Sequence, residues 1–287
     1  MSEVKEIDWY TLAGAGIIGG LICIYAAVIL DAALGVNYFI FLGAIGAILA
    51  TLWGADAVRK ICKYGIGTGV PSIGMLAFGM GLLATLLGLK FGDYLVAKNI
   101  LAMEVVGGIK AGLLVGPLAA LVMALVQGFV IGFIAQNILK MKIPTMQVGM
   151  TMISGAASLI YLGYTVTIAG AFDFGTLVNN VINTGFIAPL FIVGALPMLH
   201  PFNACLGPDE NQRRTLTLGV EAALMSTVIF GILSFAIFPN DIIGPVITVL
   251  LGLVAWVFAY LAYWQKVKES GTIILPTGLL PKKEEGQ

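Results

Sequence analysis

The chain has 287 residues, of which 59% are hydrophobic and only 10% are charged, and its formal net charge is zero. Soluble globular domains average about 45–50% apolar and about 25% charged residues. The composition therefore excludes a soluble enzyme, a nucleic-acid-binding protein and a disordered chain, and it indicates a polytopic membrane protein. A net charge of zero also gives no electrostatic reason to expect nucleic acid as a partner.

Eight apolar runs are long enough to cross a bilayer, since a crossing helix needs about 20 mostly apolar residues. The runs fall at residues 11–30, 35–53, 72–89, 112–138, 148–171, 183–199, 217–238 and 242–264. The sequence thus predicts an all-α, polytopic integral membrane helix bundle with about eight transmembrane helices in a single membrane domain, 1–287. Residues 265–287, rich in Lys and Glu, are expected to form a solvated cytoplasmic tail.

The basic residues predict that both termini are cytoplasmic, because cytoplasmic loops collect Lys and Arg. With eight spans, only Lys90, Lys98 and Lys110 of the fifteen Lys and Arg residues fall outside. A ninth span at 91–110 would reverse this distribution downstream, so we expect that segment to lie flat on the outer face or to re-enter. The hairpin–loop–hairpin order of each half also indicates a 4+4 parallel repeat.

The densest polar stretch is residues 200–214, which follows a span that contains Pro189 and Pro197. Interior prolines remove helix hydrogen bonds, and broken helices at membrane depth occur only against protein or a water-filled cavity. We therefore expect this stretch to line a cytoplasmic cavity. Asp209 and Glu210 precede the next helix and could either cap its N-terminus or act as ligands.

A metal centre within the chain is not expected. His200 and Cys205 lie close together in the polar stretch, but no third zinc ligand is near them. The remaining cysteines, Cys23 and Cys62, are far apart in the sequence and fit neither a disulfide framework nor a zinc motif.

Few ionisable or amide groups fall within the predicted spans or at their ends. Glu221 is an intramembrane carboxylate, which either pairs with Arg213 or Arg214 or is a functional group. Sodium prefers oxygen ligands, and Asp56, Gln127 and Glu221 are the plausible ligand set. Such a small set predicts that this chain is not an ion pump by itself.

A second polar stretch, 54–72, combines several glycines with Arg59 and Lys63. The glycines are not followed by the Lys-Ser/Thr pair of a phosphate-binding loop, so nucleotide binding is not expected. The stretch is either a cytoplasmic linker that obeys the positive-inside rule or a segment whose backbone groups meet an ion.

Four stretches together resemble one known family. They are WGADAVRKICKYGIGTGVPSIG (53–74), KMKIP (140–144), ISGAASL (153–159) and HPFNACLGPDENQRRTL (200–216). They are similar to the C subunit of tetrahydromethanopterin S-methyltransferase, a membrane complex of methanogenic archaea. The resemblance covers most of 10–265, whereas the first ten residues, 91–110 and the tail lie outside it.

The resemblance implies a complex that moves a methyl group from methyl-tetrahydromethanopterin, or the related sarcinapterin, to coenzyme M. A corrinoid on the A subunit carries the group, the H subunit loads it, and the transfer drives sodium out of the cell. On this reading the chain binds no cofactor of its own and contains no catalytic residue. Its partners are the A, B, D, E, F, G and H subunits together with membrane lipids, and it helps to form the membrane cavity and sodium path.

The site residues we single out are positional inferences from the polar segments that the resemblance marks. Candidates for the sodium path or its gate are Asp56, Gln127, Asp209, Glu210 and Glu221. Candidates for coenzyme M attraction or a partner interface are Arg59, Lys63, His200, Asn203 and Arg213. Two other functions stay open: an independent secondary transporter with its own midplane site, and a purely structural membrane scaffold.

Overall fold

The computed structural model describes residues 6–62, 69–141, 145–204 and 212–270, with the backbone alone at 69–72, 203–204 and 266–270. Within these ranges the chain is almost entirely helical, apart from a short antiparallel hairpin of β1 (Glu104–Val106) and β2 (Ile109–Lys110). The helices are α1 (Trp9–Leu34), α2 (Tyr38–Cys62), α3 (Gly69–Ala97), α4 (Ala111–Ile138), α5 (Met146–Ala169), α6 (Phe174–Ile182), α7 (Ile187–Ala204), α8 (Gln212–Ile237) and α9 (Ile243–Ser270).

Seven of these helices are long and apolar enough to cross a membrane, and the bent pair α6–α7 makes an eighth crossing if it counts as one span. The predicted fold class, an all-α polytopic membrane helix bundle, is confirmed. The ends that carry Glu6, Arg59 and Gln212 form what we call the Arg59 face. The opposite ends, with the β-hairpin, Asp31 and Asp241, form what we call the hairpin face.

Two helices continue well beyond their predicted ends. Helix α2 runs past residue 53 to Cys62, so the polar stretch 54–72 is helical over 54–62 and again from Gly69, while 63–68 lie outside the described residues. The physical reason is that the charged groups near the end of α2 are paired within the protein and do not need bulk water. Charge therefore marks the end of the apolar run but not the end of the helix.

The second of these helices is α3, and its extension shows that the prediction of a flat or re-entrant segment at 91–110 is wrong. Helix α3 continues through the first part of this segment to Ala97. The rest turns through Asn99, at a φ of 58°, and forms the β-hairpin. The segment is thus a helix extension and a hairpin at the hairpin face, and it adds no crossing.

The sixth span is broken at a different place than its prolines suggest. Helices α6 and α7 meet at an angle of 95°. The break includes Gly185, whose φ of 80° favours glycine. Pro189 lies in the first turn of α7, where a missing N–H is tolerated, and Pro197 lies inside a helix that continues to Ala204.

Helix α5 is the centre of the bundle. In its most apolar segment 94% of the residues are buried, whereas in that of α9 only 11% are. Small residues let its neighbours approach closely, which is how helices pack in a membrane. A Cβ at Gly43 of α2 would lie 2.6 Å from the carbonyl oxygen of Gly163 in α5. A Cβ at Gly128 of α4 would lie 2.5 Å from the carbonyl oxygen of Met150 in α5.

The contact between α3 and α4 gives a test of this packing. A Cβ at Gly88 of α3 would collide with the backbone of Ala120 in α4, whereas Gly79 of the same helix has nothing within 4 Å of its Cβ position. We expect Gly88→Leu to lower the free energy of unfolding by about 1–3 kcal/mol through overpacking, and Gly79→Leu to leave it nearly unchanged. Unfolding in mixed micelles by SDS titration measures both, and equal losses would contradict the packing.

Candidate functional site

A network of charges lies at the Arg59 face, centred on Arg59 and Asp56, whose side chains are each 1% exposed. The Nε of Arg59 donates to Oδ1 of Asp56 at 3.1 Å, one turn earlier in α2. Its Nη1 and Nη2 donate to Oε1 and Oε2 of Glu6 at 2.9 and 3.0 Å. This two-pronged contact uses the planar fork of the guanidinium group, and it fixes the N-terminal segment to the end of α2.

Gln212, the first residue of α8, joins the same network from the other side. Its Nε2 donates to Oδ1 of Asp56 at 3.2 Å and to the carbonyl oxygen of Ile7 at 2.9 Å. Its Oε1 accepts the backbone N–H of Ile7 at 2.7 Å. One amide side chain therefore satisfies both backbone groups of Ile7 and links α8 to α2.

Two further contacts fix the chain where it enters α1. The Nζ of Lys60 lies 3.1 Å from Oδ2 of Asp56 and 3.8 Å from the centre of the Trp9 ring. Asp8 caps α1 by accepting the backbone N–H of Tyr10 at 3.0 Å. Residues 6–9, which we call the N-terminal strap, are thus held across the ends of α2 and α8.

The charges of this network balance, since Glu6 and Asp56 face Arg59 and Lys60. Balance is needed because an uncompensated buried charge is strongly destabilising. Oδ1 of Asp56 accepts from Arg59 and Gln212. Oδ2 makes no hydrogen bond but lies 3.1 Å from Nζ of Lys60, so Asp56 could take up a sodium ion only if the strap or Lys60 moved away. The predicted gate residue Asp56 and the predicted interface residue Arg59 are therefore partners of each other.

Glu221 is a half-buried carboxylate inside α8, and no described residue pairs with it. Of the two alternatives for Glu221, the ion pair with Arg213 or Arg214 is not formed among the described residues. Gly219, two positions earlier, faces α2, where its Cβ position is 3.0 Å from Cγ2 of Thr51. Because a helix turns about 100° per residue, Glu221 points roughly 200° away from α2, and hence away from Asp56.

Gln127 lies in α4, and its buried Oε1 has no hydrogen-bond partner among the described residues. Helix α4 packs against α3 and α5, whereas α8 packs against α2, α5, α7 and α9, so α5 is the neighbour that the two helices share. The structure therefore does not bring Asp56, Gln127 and Glu221 together into one sodium site. In the described part of the chain, no group of three or more His, Cys, Asp or Glu residues could hold a metal ion.

The other predicted residues occupy the Arg59 face or fall outside the described ranges. His200 is exposed on α7. Arg213 is exposed on α8, and it interacts with another group of this chain. Asn203 belongs to α7, but the structure describes only its backbone. Lys63, Asp209 and Glu210 lie outside the described residues.

Sequence reasoning misses Glu6, Trp9 and Gln212 as members of the charge network. Their contacts join residues far apart in the chain: 53 positions separate Glu6 from Arg59, and 205 separate Ile7 from Gln212. No local spacing could reveal such contacts. The only signal is that Gln212 lies in the polar stretch 200–216, which the resemblance marks.

The helices and the buried charges define the class of the protein, a multi-pass membrane protein with a charged network at one end of its bundle. The chain belongs to the family of the C subunit of tetrahydromethanopterin S-methyltransferase, whose model matches residues 2–284. The matched range includes most of the first ten residues and of the tail, so the view that these two segments lie outside the family pattern is wrong. That 91–110 is an addition to the family pattern stays a prediction.

Curated relatives agree with the family model, and each is named as the C subunit of the same methyltransferase. The relative from Methanosarcina mazei is 45% identical over 277 residues, which cover 96% of this chain and 94% of that one. The relative from Methanothermobacter thermautotrophicus is 38% identical over 274 residues, covering 96% and 93%. That from Methanocaldococcus jannaschii is 34% identical over 251 residues, covering 85% and 83%. The similarity thus extends over most of the length of each protein.

The charge network predicts unequal effects at two neighbouring cations. Arg59→Met leaves Glu6 and Asp56 without their buried partner, and we expect it to lower the free energy of unfolding by about 3–5 kcal/mol. Lys60→Met removes a side chain that is 41% exposed, and we expect a loss of about 0–1 kcal/mol. Unfolding in detergent micelles compares the two variants, and a loss at Lys60 equal to that at Arg59 would contradict the network.

Proposed function

We propose that this chain is an integral part of a complex that transfers a methyl group from methyl-tetrahydromethanopterin or its sarcinapterin analogue to coenzyme M. A corrinoid on the A subunit carries the methyl group, and the transfer drives sodium ions outward across the archaeal cytoplasmic membrane. Family membership supports the methyltransferase complex. The A, B, D, E, F, G and H subunits as partners, the corrinoid, coenzyme M and sodium are parts of the proposal.

The orientation that fits this role has the Arg59 face in the cytoplasm. That face carries Arg59, Lys60, Arg213 and Arg214, as the positive-inside rule requires. Methyl transfer to coenzyme M takes place in the cytoplasm on this proposal, so the charge network of the chain lies on the side where the partner subunits that do the chemistry would dock.

The observation that supports the proposed sodium path is the carboxylate of Glu221, with which no residue in the described part of the chain pairs. A carboxylate within a transmembrane helix is costly and marks a functional site by default. Gln212 and Glu221 are nine positions apart in α8, so Glu221 lies about 13 Å below the start of the helix. It also points away from α2, the neighbour that Gly219 contacts. We infer that Glu221 meets an ion or a polar group at the boundary with another subunit.

The charged network at the Arg59 face suits a different task from ion binding. Asp56 and Arg59 are paired with each other and with the strap, so we assign them to holding the ends of α2 and α8 in register. Arg213 and His200 are exposed at the same face and are the better candidates for coenzyme M attraction or a partner interface. Lys63, Asn203, Asp209 and Glu210 stay predictions for the cavity or the gate.

A structural scaffold is the second candidate function, and the ion pairs of Asp56 with Arg59 and Lys60 favour it. The two candidates differ at Glu221, which a scaffold does not need. An independent secondary transporter would need a midplane substrate site within the chain. Asp56, Gln127 and Glu221 do not assemble into one.

The test is Glu221→Gln in the native complex, which keeps the shape and polarity of the side chain but removes its charge. We expect the complex to assemble, and the sodium concentration for half-maximal coenzyme M methylation in membrane vesicles to rise by about tenfold, equivalent to roughly 1.4 kcal/mol of lost ion binding. The matched control is Glu104→Gln in β1, where the amide oxygen can still accept the N–H of Gly108.

The outcomes separate the candidate functions. An unchanged sodium dependence in an assembled Glu221→Gln complex would contradict the sodium path and favour the scaffold. A substrate-dependent flux through the isolated chain, reconstituted in liposomes, would favour the transporter. If no other subunit co-purifies with the chain and the purified sample shows no corrinoid absorption, the proposed complex itself is wrong.

A further inference from the structure

A cavity of about 490 Å³ opens at the hairpin face, between the ends of α1 and α5 and the β-hairpin. Its lining includes the carboxylates of Asp31 and Asp173 and the side chain of Asn37. No Lys, Arg or His is among the described residues that line it. The cavity lies at the end of the bundle opposite the charge network, and the proposed function makes no use of it.

Asp31 brings an unsatisfied buried oxygen to this cavity. The residue is only 5% exposed. Its Oδ1 accepts the backbone N–H of Phe39 at 2.9 Å, but its buried Oδ2 has no hydrogen-bond partner in the described part of the chain. An ionised oxygen removed from water in this way is destabilising unless something compensates it.

Two helix carboxyl ends add negative charge at the same place. Helix α1 ends before Gly35, at a φ of 66°, and α5 ends before Gly170, at a φ of 65°. Both glycines line the cavity. Helix carboxyl ends carry unpaired carbonyl oxygens and a partial negative charge, and neither helix has a basic residue in its last turn.

The N-terminal end of α2, whose Phe39 N–H Asp31 accepts, offsets part of the Asp31 charge, but the neighbouring carboxylates do not. Asp173 uses its Oδ1 to cap α6, accepting the N–H of Thr176 at 2.7 Å. Asp241 lies just beyond Asn37, whose amide nitrogen donates to Oδ2 of Asp241 at 2.6 Å when it faces that carboxylate. The nearby lysines, Lys90 and Lys110, line an adjoining cavity together with Asp93, and the two cavities share Asp173.

We propose that this cavity binds a hard monovalent cation, such as sodium or potassium, against Oδ2 of Asp31. The ligand atoms on offer are carboxylate, carbonyl and amide oxygens, which hard cations prefer. A calcium site commonly gathers several carboxylates, and no group of three or more acidic residues converges among the described residues. A single buried carboxylate with carbonyl oxygens suits a single positive charge.

The site does not depend on the proposed sodium path. Glu221 lies toward the Arg59 face, whereas Asp31 lies in the last turn of α1 at the hairpin face. Cation binding at Asp31 is measured without methyl transfer, so either proposal can fail while the other stands.

The test is hydrogen–deuterium exchange of the chain in its purified native assembly, read by mass spectrometry in peptides that cover 31–40 and 104–112. Exchange is compared in sodium, potassium, calcium and choline chloride at equal ionic strength. At one hundred times the dissociation constant, a bound cation should slow local opening about a hundredfold. We expect sodium or potassium to give this protection, calcium to give no more than the monovalent ions, and choline to give none.

Asp31→Asn is the decisive variant, because its amide oxygen can still accept the N–H of Phe39 while the negative charge is lost. We expect it to abolish the cation-dependent protection. The matched control, Asp93→Asn, should keep it, since Asp93 lies in the neighbouring cavity and accepts the N–H of Phe174 at 3.1 Å. Protection that persists in Asp31→Asn, or wild-type exchange that responds only to calcium or to no cation, would overturn the proposal.

A second measurement does not require a variant that folds. Thallium(I) replaces sodium or potassium and scatters anomalously, so crystals of the assembly grown with it locate the ion directly. We expect an anomalous peak in contact with Oδ2 of Asp31. Its absence at saturating thallium would overturn the proposal.

Discussion

The constraint on which this structure depends is that a charge or polar group removed from water needs a partner. Only 10% of the residues are charged, and the chain pairs the charges that it buries at the Arg59 face. Arg59 is the clearest case, since its guanidinium group reaches Asp56 within α2 and Glu6 in the strap. The network lets α2 continue through charged residues and connects three segments of the chain that lie far apart in sequence.

The same constraint identifies polar groups that lack a partner within the described part of the chain. Glu221, Gln127 and Asp31 each present a half-buried or buried oxygen that no described residue satisfies. They lie on different sides and at different depths of the bundle, so one internal site cannot serve all three. Helix α9 is also nearly unburied, in contrast to the central α5. A chain of this kind is expected to work within an assembly, where partner helices, lipids and ions supply what it lacks.

Apolar run length predicts the fold class and the number of crossings, because hydrocarbon thickness fixes the length of a spanning helix. It does not predict the ends of α2 and α3, because charge cannot show where buried pairs allow a helix to continue. The positions of the prolines also fail to predict the bend of the sixth span, which lies at Gly185. For the site, sequence reasoning singles out Asp56 and Arg59, but it cannot foresee Glu6 or Gln212, whose contacts cross much of the chain.

The central claim is that the unsatisfied oxygens of Glu221, Gln127 and Asp31 are completed by the assembly. The most direct measurement is an electron cryomicroscopy map of the complex, purified through this chain from its native membrane. The account predicts an ion, or a polar side chain of another subunit, within hydrogen-bonding or ligand distance of the Glu221 carboxylate. A Glu221 side chain surrounded only by lipid acyl chains in the intact complex would contradict it.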